Sequence, residues 1–560
     1  MSSHLLRTAA THPFSIVGLA DSVWNAVSER AIRASWGPVT GVAESIVLSL
    51  LQNISSGHLR VHTTHGQVYD FPASKASDTE AQAEIRVLND AFWVRLCLMG
   101  DLGFSEAYMY GEVQCDDLVA LFRVFLMNKP QLEQLDSSWS FLFTLPQKLT
   151  SYRFLNTLSN SRSNISAHYD ISNEMFKGFL SKDMTYSCAI FSDLDGDLES
   201  PTTRDYASPC QRPTSHRRPT QIPSPPLSDT PSLSNSESYS AERGNSPSAN
   251  ASTSVNEALL EQKLAGQDYD ELEEEDELYL AQLRKLDHIV ERLKIPTDRP
   301  IRILEIGSGW GSMAIRIAQR YPLATTDTLT LSVQQQHLAQ QRISLLGPRI
   351  SDRITVHLMD YRAMPPEWEA AFDRVVSVEM IEAVGKEFLE VYWKTVDWAM
   401  KRENAAGVVQ VITLPEARFE KYVREIDFIR KWVIFPGGFL PTVTLLVESL
   451  STASNGRLVV DSISNIGPHY ARTLREWCRR FTDHFDDVIK PALRAEHPTV
   501  MGSQRPDGDA GKAEEEIEVF KRKWIYYYRY CEVGFSTRTL GDHIITFTRE
   551  GFEEYGCDAF

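Results

Sequence analysis

Arg302-Ile303-Leu304-Glu305-Ile306-Gly307-Ser308-Gly309-Trp310-Gly311 reads as a short buried strand that ends in a glycine turn and opens a helix. Glycines at 307, 309 and 311 permit positive φ and let a ligand lie against bare backbone. The spacing is G-x-G-x-G, and Ser312 stands where a dinucleotide fingerprint would place its third glycine, so a pyrophosphate cradle is disfavoured. A plain strand-to-helix turn would use the same glycines for their φ alone.

Four further apolar or β-branched runs, 328–331, 354–358, 375–378 and 408–413, follow at helix-length intervals. Strands alternating with helices predict parallel βαβ units and a doubly wound sheet, with its ligand crevice at the strand carboxyl ends. The loops at 330–335, Asp360-Tyr361, 379–382 and from Leu414 onward are then expected to hold the site. The acid just inside the first strand end, Glu305, fits S-adenosylmethionine better than a dinucleotide.

A chain of 560 residues is too long for one compact core and predicts two or three domains. The formal charge of −18 speaks against a nucleic-acid partner, although part of it sits in the block DYDELEEEDE at 268–277. Seven scattered cysteines, with no C-x-x-C pair, predict reduced thiols and no metal site. No run approaches the length of a transmembrane helix. The first 35 residues carry arginine and serine in the manner of a transit peptide, against which stand Asp21 and Glu29.

The chain divides into an amino-terminal segment (1–39), a small α+β accessory domain (40–150), lid helices (151–194), an insertion (195–277) and a catalytic domain (278–560). In the accessory domain, 57–71 alternates like a hairpin, 83–99 alternates again around Phe92-Trp93, and 116–127 reads as a helix. The stretch from Gly100 to Tyr108 between them reads as a glycine-rich aromatic turn. The insertion is rich in Ser, Pro, Thr and Asn and then acidic, a composition that cannot offset the entropy of ordering and predicts disorder.

Before the insertion stand His168-Tyr169-Asp170 and Met184-Thr185-Tyr186-Ser187-Cys188-Ala189. With these, ILEIGSGWG, LTLSVQQQ, FDRVVSVEMIEAVG at 372–385, IFPGG at 434–438, His469-Tyr470 and YRYCEVGF at 528–535, the chain resembles the cyclopropane-fatty-acyl-phospholipid synthases, a family that includes the mycolic acid cyclopropane synthases. GDLGFSEAYMYGEV at 100–113 resembles that family's accessory domain.

The resemblance implies a class I S-adenosylmethionine-dependent methyltransferase fold and transfer of a methyl group to a cis double bond in a phospholipid acyl chain. It implies S-adenosylmethionine and bicarbonate as cofactors. Cofactor contacts would come from Tyr186, Ser187, Glu305, Gly307, Gly309, Gly311, Thr330, Gln335, Asp360 and Tyr361. The bicarbonate base would be held by the amides of Cys188 and Ile412 and by Glu382, Gln410 and Tyr470. Ala383 and Gln410 stand where many members have histidine, which puts the product in question. The alternatives are a methyl-branched lipid, a sphingolipid product, or a lipid-binding pseudoenzyme. Residues 421–432 mix basic and aromatic side chains with an apolar row, as an amphipathic contact with lipid headgroups would; a cytoplasmic enzyme at a membrane surface, with a homodimer and mitochondrial import as further options, is expected.

Overall fold

The computed structural model describes residues 37–72, 81–132, 173–192, 276–424, 427–432 and 438–556. His168 to Asp170, residues 1–36, the Ser/Pro-rich stretch, Ile434 to Gly437, Cys210 and Cys557 lie outside them. Residues 203–276 divide from the rest as a second unit, of which only Asp276 is described.

Seven strands make the principal sheet: β5 (Ile301–Ile306), β6 (Ala324–Thr330), β7 (Ile354–Leu358), β8 (Arg374–Val378), β9 (Ala406–Thr413), β10 (Leu458–Asn465) and β11 (Gly541–Arg549). Their order is β7-β6-β5-β8-β9-β11-β10. β5 to β9 run parallel, while β11 is antiparallel to both β9 and β10. Both faces are covered, and the two-residue period of a strand sorts the side chains. Ile301 and Ile303 enter one core with Val376 and Val408, while Leu304 and Ile306 enter the other with Val375, Val409 and Val411. This is the doubly wound sheet expected from the alternating strands and the class I methyltransferase arrangement that the resemblance implied. The antiparallel pair β10–β11 has no counterpart among the strands read from sequence.

The strand order reverses between β5 and β8, so the crevice of a doubly wound sheet opens beyond their carboxyl ends. Gly307 follows β5 and Glu379 follows β8, which sets the two loops face to face.

Ahead of this sheet, β1 (His58–His62), β2 (Val68–Phe71), β3 (Gln82–Val87) and β4 (Val113–Cys115) form a second sheet in the order β2-β1-β3-β4. The predicted turn from Gly100 to Tyr108 is instead the second half of helix α1 (Ala91–Met109), broken only at Gly100 with φ 56°. Burial of Leu102, Phe104, Ala107 and Met109 explains why it stays helical. Phe104, and Phe122 of α2 (Leu118–Met127), close on Tyr526 of the long carboxyl-terminal helix α3 (Ala510–Ser536), with ring centroids 6.4 and 5.2 Å apart. The small sheet therefore shares a core with the catalytic fold. At this junction Arg95 pairs with Glu106 and Glu112, and Glu106 also takes Lys431. The described cysteines are free thiols, and no helix among the described residues is long and apolar enough to cross a membrane.

Candidate active site

A cavity opens at the crevice, and most of the residues expected to meet the cofactor line it: Tyr186, Ser187, Glu305, Gly307, Gly309, Thr330, Gln335, Asp360 and Tyr361. Gly307 has φ 101°, and a Cβ there would stand 3.1 Å from Cβ and Cγ of Met380, so any side chain is strained and crowds the loop after β8. Gly311 departs from expectation. It caps helix α4 (Ser312–Arg320) away from the cavity, and a Cβ there would press on Ala339 at 3.3 Å. Its role is helix packing.

Thr330 donates to Gln335 Oε1 at 2.8 Å, so the two predicted cofactor residues hold each other across the turn after β6. Asp360 is paired with Arg362 at 2.6 Å. Glu305 is buried and its Oε2 has no hydrogen-bond partner. Burial pushes its pKa up to about 8, which leaves a largely neutral carboxyl waiting for a polar or cationic group. A buried carboxyl with one oxygen lacking a partner, a bare glycine turn and a polar end wall fit S-adenosylmethionine.

Met184 to Ser187 line the cavity, and their segment is tied down by helix α5 (Glu277–Arg292). Gln282 donates to the Ser187 carbonyl at 2.8 Å, and Lys285 Nζ donates to Ser187 Oγ at 2.6 Å. Tyr186 meets Tyr527 hydroxyl to hydroxyl at 3.1 Å and lies against Trp477 with centroids 5.0 Å apart.

The loop after β8 differs from the bicarbonate pocket implied by the resemblance. Three donors assigned there to bicarbonate converge on the carboxylate of Glu379. The Cys188 amide and Gln410 Nε2 each donate to its Oε1 at 2.8 Å, and the Tyr470 hydroxyl donates to Oε2 at 2.6 Å. The protein's own carboxylate thus fills the anion seat, and the residues present do not fit a bicarbonate ion. Glu382 is not part of that convergence. Its Oε1 accepts the Ile412 amide at 2.5 Å, and its Oε2 is buried without a partner. Glu379 holds a left-handed backbone, φ 48°. That conformation costs a non-glycine residue ~1–2 kcal/mol and is retained where the surrounding structure, often a functional one, enforces it.

A third acid joins the group. Asp542, on β11, is fully buried, and its Oδ2 accepts the same Gln410 Nε2 at 2.7 Å. Burial, then the Glu379 charge, raises its pKa far above the usual carboxylate range. The same two causes push Glu382 up to about 8. Both shifts favour the neutral acid over the carboxylate. Burial raises the Glu379 pKa, while the Cys188 amide, the Tyr470 hydroxyl and Lys285 pull it back toward the anion. Burial likewise pushes the Cys188 thiol far up, so Cys188 contributes its amide and no thiolate.

Reading the sequence did not single out Glu379 beyond its loop, nor Asp542 or Lys285. The signal for Glu379 was its place directly after the end of a predicted strand facing the glycine turn.

The family described as mycolic acid cyclopropane synthetase matches residues 156–212 and 269–497, just over half of the chain. A tuberculostearic acid methyltransferase of Mycobacterium tuberculosis is 29% identical over 92% of this chain and 93% of its own length. The cyclopropane-fatty-acyl-phospholipid synthase of Escherichia coli is 26% identical over 85% and 91%. A probable fatty acid methyltransferase of Pseudomonas putida is 31% identical over 67% and 74%. With the sheet order, the glycine turn and the match over both parts of the catalytic fold, the chain belongs to the mycolic acid cyclopropane synthetase family of S-adenosylmethionine-dependent enzymes that act on lipids.

Proposed function

We propose that this protein adds a methylene bridge across the cis double bond of an unsaturated phospholipid acyl chain, with Glu379 as the proton acceptor. The observation that carries the reading is the convergence of the Cys188 amide, Gln410 and Tyr470 on the Glu379 carboxylate at the cavity wall.

S-adenosylmethionine, when bound, supplies an electrophilic methyl group. The alkene is a weak nucleophile, so the protein's contribution is alignment, exclusion of water and stabilisation of the cation left on the acyl chain. The aromatic face of Tyr186 at the cavity wall suits that charge, at ~0.5–2 kcal/mol for a cation over a ring. Glu379 then takes a proton from the newly attached methyl group, and the electrons of that C–H bond close the third side of the ring. Tyr470 and Gln410 hold the carboxylate in place and stay protonated, since burial keeps the Tyr470 phenol far above its ordinary pKa.

Access from a membrane surface is supported by Lys421, Val423 and Arg424, exposed on helix α6 (Glu416–Arg424), whereas Phe428 and Trp432 of the expected 421–432 contact are buried and Lys431 is paired with Glu106. A methyl-branched product is the second reading, favoured by the similarity to the tuberculostearic acid methyltransferase over 92% of this chain. It requires a reductant in addition.

The test is mass spectrometry of lipids from a bacterial host that makes unsaturated but no cyclopropane acyl chains. Expression of the chain should convert monounsaturated species to species heavier by one CH2. A gain of CH2 plus two hydrogens would establish the branched product instead, and unchanged lipids would refute both.

A further inference from the structure

Residues 193–275 separate Phe191-Ser192 from helix α5, and the chain on both sides of them meets one helix, α7 (Gly467–Asp483). The four amides ahead of the exit are all taken. Cys188 donates to Glu379 Oε1 at 2.8 Å, Ala189 to Thr473 Oγ1 at 3.2 Å, Ile190 to the Ala281 carbonyl at 3.0 Å and Phe191 to His469 Nδ1 at 3.1 Å. Helix α7 also carries Tyr470, whose hydroxyl donates to Glu379 Oε2 at 2.6 Å. The last of these ties lies only three residues, ~10 Å of extended chain, beyond the Cys188 amide. Its partner His469 adjoins Tyr470.

Arg472 closes the arrangement. Its guanidinium carbon stands 4.3 Å from the ring centroid of buried Phe191, and its Nη2 pairs at 2.7 Å with Glu277, the first residue of α5. One side chain of α7 thus touches the chain where it leaves for the insertion and where it returns. The ion pair with half-exposed Glu277 is weak alone. Joined to a cation–ring contact made by the same guanidinium over a buried ring, it forms a two-sided clasp.

We infer that Arg472 is a positioning residue: by fastening both ends of the insertion to α7, it keeps the Cys188 amide and Tyr470 on Glu379. The clasp stands apart from the reaction, and only its consequence for turnover rests on the role proposed for Glu379.

The experiment is hydrogen exchange of the full-length protein without ligands, read by mass spectrometry on peptides covering 184–192. Arg472→Gln should speed exchange of the amides from Cys188 to Phe191 by roughly 5- to 30-fold. Peptides of β5 and β8 should exchange as in the wild type, which shows that the sheet is folded. In a chain whose residues 193–275 are replaced by a short Gly/Ser linker, the linker holds the two ends together in place of the clasp. There the same substitution should change exchange by less than about 3-fold. If the shortened chain does not fold, a cycle in the full-length protein decides. Phe191→Leu and Arg472→Gln act on one contact, so the double variant should exchange little faster than the faster single variant. Unchanged exchange in full-length Arg472→Gln, equal acceleration in both chains, or multiplying effects in the cycle would overturn the inference. A wild type that leaves every lipid unchanged would sink the role proposed for Glu379, while the exchange data still judge the clasp.

Discussion

Replacing Glu379 by glutamine separates its two roles, as an acceptor of hydrogen bonds and as a base. The amide is isosteric, so the loop after β8 and the left-handed φ of 48° are preserved. An amide does not accept a proton near neutral pH, and loss of a positioned general base costs ~10²- to 10⁴-fold in rate. It also replaces an anion by a neutral group against three donors at 2.6–2.8 Å, where charge-assisted bonds are about twice as strong as neutral ones. The expected result is a fall in kcat of ~10²–10⁴ with unchanged affinity for S-adenosylhomocysteine. Glu379→Gly gives the complement. It releases ~1–2 kcal/mol of left-handed strain and frees the Cys188 amide, Gln410 and Tyr470 to hold an external anion. In buffers stripped of carbon dioxide that variant should be as slow as Glu379→Gln, and added bicarbonate should restore activity to it alone. The assay is single-turnover conversion of vesicles of monounsaturated phospholipid. Full activity of Glu379→Gln, or bicarbonate dependence of the wild type, would refute the reasoning.

Asp542→Asn should be tolerated within a few-fold in kcat, because a neutral acid and an amide present the same pair of groups to Gln410, whose Oε1 has no partner. Asp542→Leu removes one acceptor from Gln410 and should cost ~1–3 kcal/mol, seen as a roughly 5- to 150-fold drop in kcat. Glu382, pushed up to about 8, holds its proton more tightly folded than unfolded. Its contribution to stability is therefore complete below its unfolded pKa, declines as pH rises, and is gone above about 8. Thermal midpoints of the unliganded protein from pH 5 to pH 9 should accordingly fall less steeply for Glu382→Gln than for the wild type, and parallel profiles would show that this carboxyl does not titrate in that window.

The parallel half of the sheet was legible because β5, β8 and β9 are buried on both faces and read as short, mostly apolar or β-branched runs at helix-length intervals. The edge strand β10, Leu458–Asn465, alternates buried and exposed residues with Asp461, Ser462 and Ser464 among them, so it lacks that signal. Its partner β11 carries Asp542, and without the strand the acid had no place in the site. Glu379 and Glu382 were equally acidic neighbours on one loop. Only the left-handed turn at residue 379 sends the first toward Gln410 and Tyr470, and nothing in the residue type announces such a turn. Lys285 lies on a helix of which the sequence reading singled out no residue. It is buried because segment 183–188 folds over it, a contact between residues about 100 apart in the chain that hydrophobic periodicity does not encode.

The claim that Glu379 removes a proton from the delivered methyl group is tested most directly by isotope retention. Reaction with S-adenosylmethionine carrying a trideuterated methyl, followed by mass spectrometry of the product lipid, counts the deuterium atoms left on the new carbon. The account predicts that the wild type retains two of the three and shows the loss as a primary isotope effect on the rate, with Glu379→Gln forming little product. Retention of all three, in a product of the methyl-branched mass, would contradict it.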